Sequence, residues 1–168
     1  MMKIKQWAGA AVSVALALGV SVESMAGDKS ADAVERGRYL VTIGGCNDCH
    51  TDGYLQNGGN VPERDWLKGT TVGYQGPWGT TYASNLRLVI GKMTEEQWLA
   101  HARKERLPPM PWFNLAKMTD GDLKAVYAYV RSLGAAGVAA PAYVAPGGKV
   151  STPYFVFVPV VDQKQAAR

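Results

Sequence analysis

Cys46-Asn47-Asp48-Cys49-His50 is the stretch that decides how this chain is read. Two thiols stand about one helical turn apart, and a histidine follows the second at once. At that spacing each thiol can add to one vinyl group on the same edge of a porphyrin, and the imidazole comes up under the iron as its proximal ligand. Asn47 and Asp48 need only close the turn. These are the only two cysteines among 168 residues, so none is spare for a zinc site, an iron–sulfur cluster or a second haem. A structural disulfide or a thioredoxin-like redox pair would use the same two thiols. The adjacent histidine and the missing βαβ pattern argue against the redox pair. The motif therefore predicts one covalent haem c on Cys46 and Cys49, with His50 on the metal.

The N-terminus fits an exported protein. Lys3 and Lys5 precede a mostly apolar run from Trp7 to Val22, and Ser24-Met25-Ala26 puts small residues where a signal peptidase reads. This predicts a signal peptide over 1–26, cleaved after Ala26, and a periplasmic mature chain. The apolar run falls short of the ~20 residues that span a bilayer, and Glu23 closes it, so no stable membrane insertion is expected after cleavage. Removing Lys3, Lys5 and Glu23 leaves 16 basic and 13 acidic residues, a net +3 that two haem propionates would nearly cancel. With no basic run, no nucleic-acid partner is expected. The mature chain divides into a domain at 27–134 and a C-terminal segment at 135–168.

Three main helices are expected. The first runs from about Ala33 to Ile43, capped by Asp32, with Val34, Gly37, Leu40 and Val41 on one face. Gly44-Gly45 ends it. Thr94-Glu95-Glu96-Gln97 is a capping box that opens a second helix to about Glu105, with Trp98, Leu99 and Ala102 inward. Thr119-Asp120-Gly121-Asp122 opens a third helix to about Leu133, striped by Leu123, Val126, Tyr127 and Val130. It would pack on the first helix where Gly37 permits close approach. Between them, Thr51 to Leu88 has no sustained period and reads as a long irregular wrap, with one short turn near Pro62–Leu67. Trp66, Tyr74, Trp78 and Tyr82 supply apolar area for wrapping a haem. Ala135 to Gly148 is mostly alanine, glycine and proline and reads as a linker. The apolar Tyr154–Val158 run then either docks back on the domain or binds a partner as a strand.

The residue opposite His50 decides between electron transfer and chemistry at an open iron. Met93 and Met118 each precede a helix cap, where packing explains them. Met110 lies on the loop Leu107-Pro108-Pro109-Met110-Pro111-Trp112, stiffened by three prolines between two helices. It is the candidate sixth ligand, with Met118 or an open site as alternatives. His101, the only other histidine, sits near Arg103 and Lys104 and reads as a solvated residue rather than a ligand.

Together, the C-x-x-C-H motif, the Pro109–Trp112 loop and the capped helix from Met118 to Leu133 make the region from Val34 to Leu133 resemble the monohaem bacterial c-type cytochromes. The nearest likeness is to the cytochromes and cytochrome modules that serve periplasmic dehydrogenases. In those, a stretch like Gly79-Thr80-Thr81-Tyr82-Ala83-Ser84-Asn85-Leu86 lies near the haem, which makes Asn85 a candidate propionate or loop-fixing contact. The resemblance implies an all-α, cytochrome c-like fold with long haem-wrapping loops and an irregular C-terminal tail. It also implies histidine–methionine ligation by His50 and Met110. The family often has a glycine shortly before the Pro-Met loop, where this chain has Lys104-Glu105-Arg106. The implied function is one-electron transfer, without catalytic residues, between a periplasmic dehydrogenase and another cytochrome or an oxidase of the respiratory chain. The alternative is a haem enzyme or gas or redox sensor whose sixth position is open or displaceable. A third reading makes the chain a docking subunit that uses the Tyr154–Val158 strand.

Overall fold

A computed structural model describes residues 23–158 of the chain. Six α-helices lie within them: α1 (Glu23–Ile43), α2 (Cys46–His50), α3 (Leu86–Gly91), α4 (Glu95–Ala102), α5 (Trp112–Lys117) and α6 (Asp120–Ser132). A small three-stranded sheet accompanies them, built from β1 (Gly73–Gly76), β2 (Gly79–Tyr82) and β3 (Tyr154–Val156). The fold is mostly helical, as expected, but the small sheet departs from a purely all-α architecture. The signal-peptide run lies largely outside the described residues. Among the described residues no helix is long and apolar enough to cross a membrane.

The core forms where α1 crosses α6. Leu40 and Val41 meet Leu123, Val126, Tyr129 and Val130, with Trp66, Leu67, Ile90 and Trp98 closing the sides, all of them buried. Gly37 sets the approach: a Cβ built there would stand 2.0 Å from the Ala125 carbonyl oxygen and 2.6 Å from Tyr129 Cβ. Only a residue without a side chain permits that crossing. Polar bonds fix the packing at its edges. The Arg36 guanidinium donates to Asp122 at 2.9 Å, and the Trp98 indole donates to the Leu123 carbonyl at 2.8 Å, tying α4 to α6. Glu63, on the short turn Glu63–Asp65, accepts from Arg38 at 3.0 Å and from the Tyr129 hydroxyl at 2.8 Å.

Helix bounds differ from expectation in two places. α1 begins at Glu23, ahead of Asp32, which therefore lies inside the helix instead of capping it. No proline intervenes in 23–32 to make the chain stop and restart there. α4 begins on the expected capping box, Thr94 with Gln97, but ends at Ala102 rather than Glu105. The His101 carbonyl accepts instead from the Lys104 amide at 3.2 Å and the Arg106 guanidinium at 2.7 Å, which turns the chain toward the proline loop.

The stretch from Thr51 to Leu88 is more ordered than an irregular wrap. β1 and β2 form an antiparallel hairpin around Pro77-Trp78, with Gly76 paired to Gly79. The following helix α3 is capped by Asn85. Nor is 135–148 a free linker. Thr80 and Val144 exchange both backbone hydrogen bonds, at 2.8 and 3.0 Å, and the Tyr143 hydroxyl donates to the Trp78 carbonyl at 2.7 Å. Gly79, at φ 97°, admits this contact, since a Cβ there would lie 2.3 Å from the Val144 carbonyl oxygen. The tail then returns as β3, parallel to β1 in the register Gly73↔Tyr154, Tyr74↔Phe155, Gln75↔Val156. It docks back on the domain through its backbone, while Tyr154 to Val158 stay exposed.

Candidate functional site

The motif forms its own short helix. Gly44 closes α1, its amide donating to the Leu40 carbonyl at 2.8 Å, and Gly45, at φ 67°, turns the chain into α2. Within α2, Cys46, Cys49 and His50 lie on one side at helical spacing. Both thiols are free. Burial pushes the Cys46 thiol up to about 11, with the Asp48 charge adding to the shift.

His50 is buried. Its Nδ1 lies 2.7 Å from the Ser84 carbonyl oxygen. A carbonyl only accepts, so Nδ1 carries the hydrogen and Nε2 keeps its lone pair. Burial holds the ring's pKa below the ordinary histidine range, against the opposing pull of the Ser84 bond. The result is a neutral imidazole with one fixed nitrogen and one available to a metal, the arrangement in which a second partner orients a ligating histidine.

Asn47 does more than close the turn. It is buried, and its Oδ1 accepts from the Thr51 hydroxyl at 2.7 Å. The Thr51 oxygen in turn accepts from the Leu67 amide at 2.8 Å, and the Gly69 amide donates to the His50 carbonyl at 2.7 Å. Leu67 sits in the left-handed region at φ 61°, costly for a branched side chain, and this network holds it there. Among the described residues, Asn47 Nδ2 has no hydrogen-bond partner.

The other candidates sit in different surroundings. Met110 is half-buried and is not among the residues packed on the core. Its loop is held by the Thr81 hydroxyl, which donates to the Pro108 carbonyl at 2.8 Å. Met118 packs against the core, its Cε 3.6 Å from where a Cβ on Gly44 would stand. His101 lies against the Trp98 ring at 6.2 Å between centroids, its pKa lowered by burial and by Arg106 and Lys104. Asn85 is buried with its amide fully engaged. Oδ1 accepts from the Leu88 amide at 3.1 Å, and Nδ2 donates to the carbonyls of Ala136 at 2.8 Å and Val138 at 3.1 Å. These are loop-fixing contacts, and a propionate at Asn85 would have to displace them.

The model of the cytochrome c family matches residues 34–134, more than half of the chain. The chain belongs to the cytochrome c family. No curated protein and no solved structure was found to match it. A cytochrome c carries haem c bonded to the polypeptide, and Cys46 and Cys49 are the only thiols available for the bonds. The residues fit that group: two free thiols on one side of a short helix, and beside them a neutral imidazole with an uncommitted nitrogen.

Three contributors escaped the sequence reading. Ser84 acts through its backbone carbonyl, which leaves no side-chain signature. Thr81 reaches the Met110 loop across 27 positions. Arg87 is buried and donates to the carbonyls of Arg64, Leu133 and Gly134, locking α3 to the end of α6. Ser84 and Thr81 do fall in the Gly79–Leu86 stretch that carried the family likeness, which is where they could have been sought.

Proposed function

We propose that this cytochrome c is a one-electron carrier with haem held by Cys46 and Cys49 and ligated by His50 and Met110. When bound, the haem iron supplies a reversible ferric–ferrous couple. The chain's part is to fix the ligands, exclude water and set the potential. One observation carries the reading. The segment from Thr80 to Asn85 reaches both ligand-bearing elements, with the Ser84 carbonyl on His50 Nδ1 at 2.7 Å and the Thr81 hydroxyl on the Pro108 carbonyl at 2.8 Å. Residues only three positions apart thus set the orientation of the imidazole and the position of the methionine loop. A thioether at Met110 would favour ferrous iron and raise the potential.

The leader-like N-terminus supports placement in the periplasm, where a dehydrogenase would donate the electron and another cytochrome or an oxidase would accept it. Low net charge predicts only mild salt dependence of these encounters. The purified exported protein should keep its haem through denaturation and organic extraction. It should also titrate as a single reversible one-electron wave. Haem lost on denaturation would refute the covalent attachment, and steady peroxide turnover would refute the carrier role.

A further inference from the structure

The most conspicuous feature left over is the C-terminal strand. Tyr154 to Val158 are five consecutive apolar residues, each 43–60% exposed. A strand with so little side-chain burial gains little for itself from the hydrophobic effect. It is nonetheless placed with care. The Gly73 amide donates to the Pro153 carbonyl at 2.8 Å, the Phe157 amide to the Gln75 carbonyl at 2.7 Å, and the Tyr82 hydroxyl pairs with Thr152 Oγ1 at 2.7 Å.

Alternation along the strand sorts its residues onto two faces. Phe155 and Phe157 share the face of Tyr74 and Trp78. The Tyr74 ring lies 5.9 Å from each phenylalanine, and Trp78 lies 6.4 Å from Phe157. Val156 falls on the other face. The aromatic face is the one turned to the attachment helix. A cavity of about 30 Å³ is bordered by Asp48, Cys49 and Asp52 on one side and by Tyr74 and Phe155 on the other, so the two rings are the apolar part of a lining that is otherwise largely polar.

We propose that Phe155, with Tyr74 and Phe157, is an aromatic cover over the Cys49 edge of the haem site, closed by the chain's own tail. This rests on the haem reading above. The Tyr74 and Phe155 rings wall the cavity that borders Cys49, and Phe157 backs Tyr74, so the cluster stands next to the attachment residue. An apolar shell around a metal site limits solvent access and lowers the local dielectric, and both act on the reduction potential. Covering this edge disfavours the extra positive charge of the ferric state and keeps small polar reagents away from it. It also explains why 135–158 is strapped down at Thr80, Tyr82 and Asn85 rather than left as a free tail.

The test uses the full-length, haem-loaded protein. Phe155→Ala/Phe157→Ala opens the cover, and Val156→Ala, on the opposite face of the same strand, is the control. Midpoint potential and the rate of reduction by ascorbate are read for each. The double variant should show a lower potential and several-fold faster reduction, while the control matches wild type. Should the double variant fail to take up haem, Phe155→Leu is measured instead and should shift both readouts in the same direction. A haem-loaded Phe155 variant that matches Val156→Ala in both readouts overturns the cover. A wild-type protein without covalent haem would instead refute the functional reading, so the two failures are distinguishable.

Discussion

Gly37→Ala sets two physical terms against each other with opposite signs. Alanine is the better helix former, by about 1 kcal/mol in a helix interior. On an exposed helix face that term alone would stabilise the protein. At Gly37, however, the new methyl would stand 2.0 Å from the Ala125 carbonyl oxygen and 2.6 Å from Tyr129 Cβ. The first neighbour is backbone and cannot rotate away. Relief requires α1 and α6 to separate by roughly 1 Å or more to reach ordinary contact distance. A gap of that size forfeits about a quarter to a half of each dispersion contact along the interface. The buried contacts of Leu40, Val41, Leu123, Val126 and Val130 lie on that interface. Overpacking of this kind costs about 1–3 kcal/mol and sometimes more, and contact with unyielding backbone places it at the upper end. Set against the helix-propensity gain, the net loss is about 2 kcal/mol. For a domain of this size that lowers Tm by roughly 5–10 °C. Thermal melts followed by far-UV circular dichroism, wild type against Gly37→Ala, read the difference. A Tm equal to or above wild type would refute the close-crossing argument, because propensity would then be the only term left.

Three further outcomes follow from named contacts. Asn85→Ala removes the α3 cap and the two bonds to the carbonyls of Ala136 and Val138. It should cost about 2–4 kcal/mol, read as a lower urea midpoint at unchanged slope. Asp122 is held below the ordinary carboxylate range first by its bond from Arg36 and then by Thr119. A carboxyl with a depressed folded pKa contributes stability above its unfolded pKa and loses it as pH falls through the folded one. Tm plotted against pH should therefore drop on the acid side in wild type, and Asp122→Asn should flatten that limb; parallel curves would contradict the assignment. Thr81→Val keeps the shape but deletes the bond to the Pro108 carbonyl. It should cost only about 1 kcal/mol yet make the haem protein bind carbon monoxide more readily, and unchanged carbon monoxide binding would show that this bond does not position Met110.

Several helix signals were legible because they are local, although the Asp32 cap was not used and the short helices α3 and α5 were not anticipated. The Thr94 capping box, the α6 stripe and the Gly44-Gly45 stop all depend on residues within a turn of one another, and the structure uses each one. The tight crossing at Gly37 could also be read, because a glycine on an otherwise apolar helical face has few other uses. The hairpin could not. Its strands are four residues long, and Gly73, Gly76, Gly79 and Pro77 carry the signature of loop. They pair because β3 and Val144 supply backbone partners from more than sixty positions away. The tail misled for the same reason: an Ala/Gly/Pro composition reads as linker, while its bonds to Thr80, Trp78 and Asn85 are long-range and partly backbone-made. At the site, the side chains of the motif were evident from spacing, but the Ser84 carbonyl that fixes the His50 tautomer has no letter in the sequence.

In the proposed carrier, His50 and Met110 close the haem iron on both sides. The most direct measurement is the absorption spectrum of the purified exported protein, ferric and ferrous, with and without carbon monoxide, for wild type and Met110→Ala. The account predicts low-spin wild-type spectra with the weak far-red methionine–iron band and no carbon monoxide binding, and in Met110→Ala loss of that band with carbon monoxide now bound. A high-spin ferric wild type, ready carbon monoxide binding, or a far-red band that survives in Met110→Ala would contradict it.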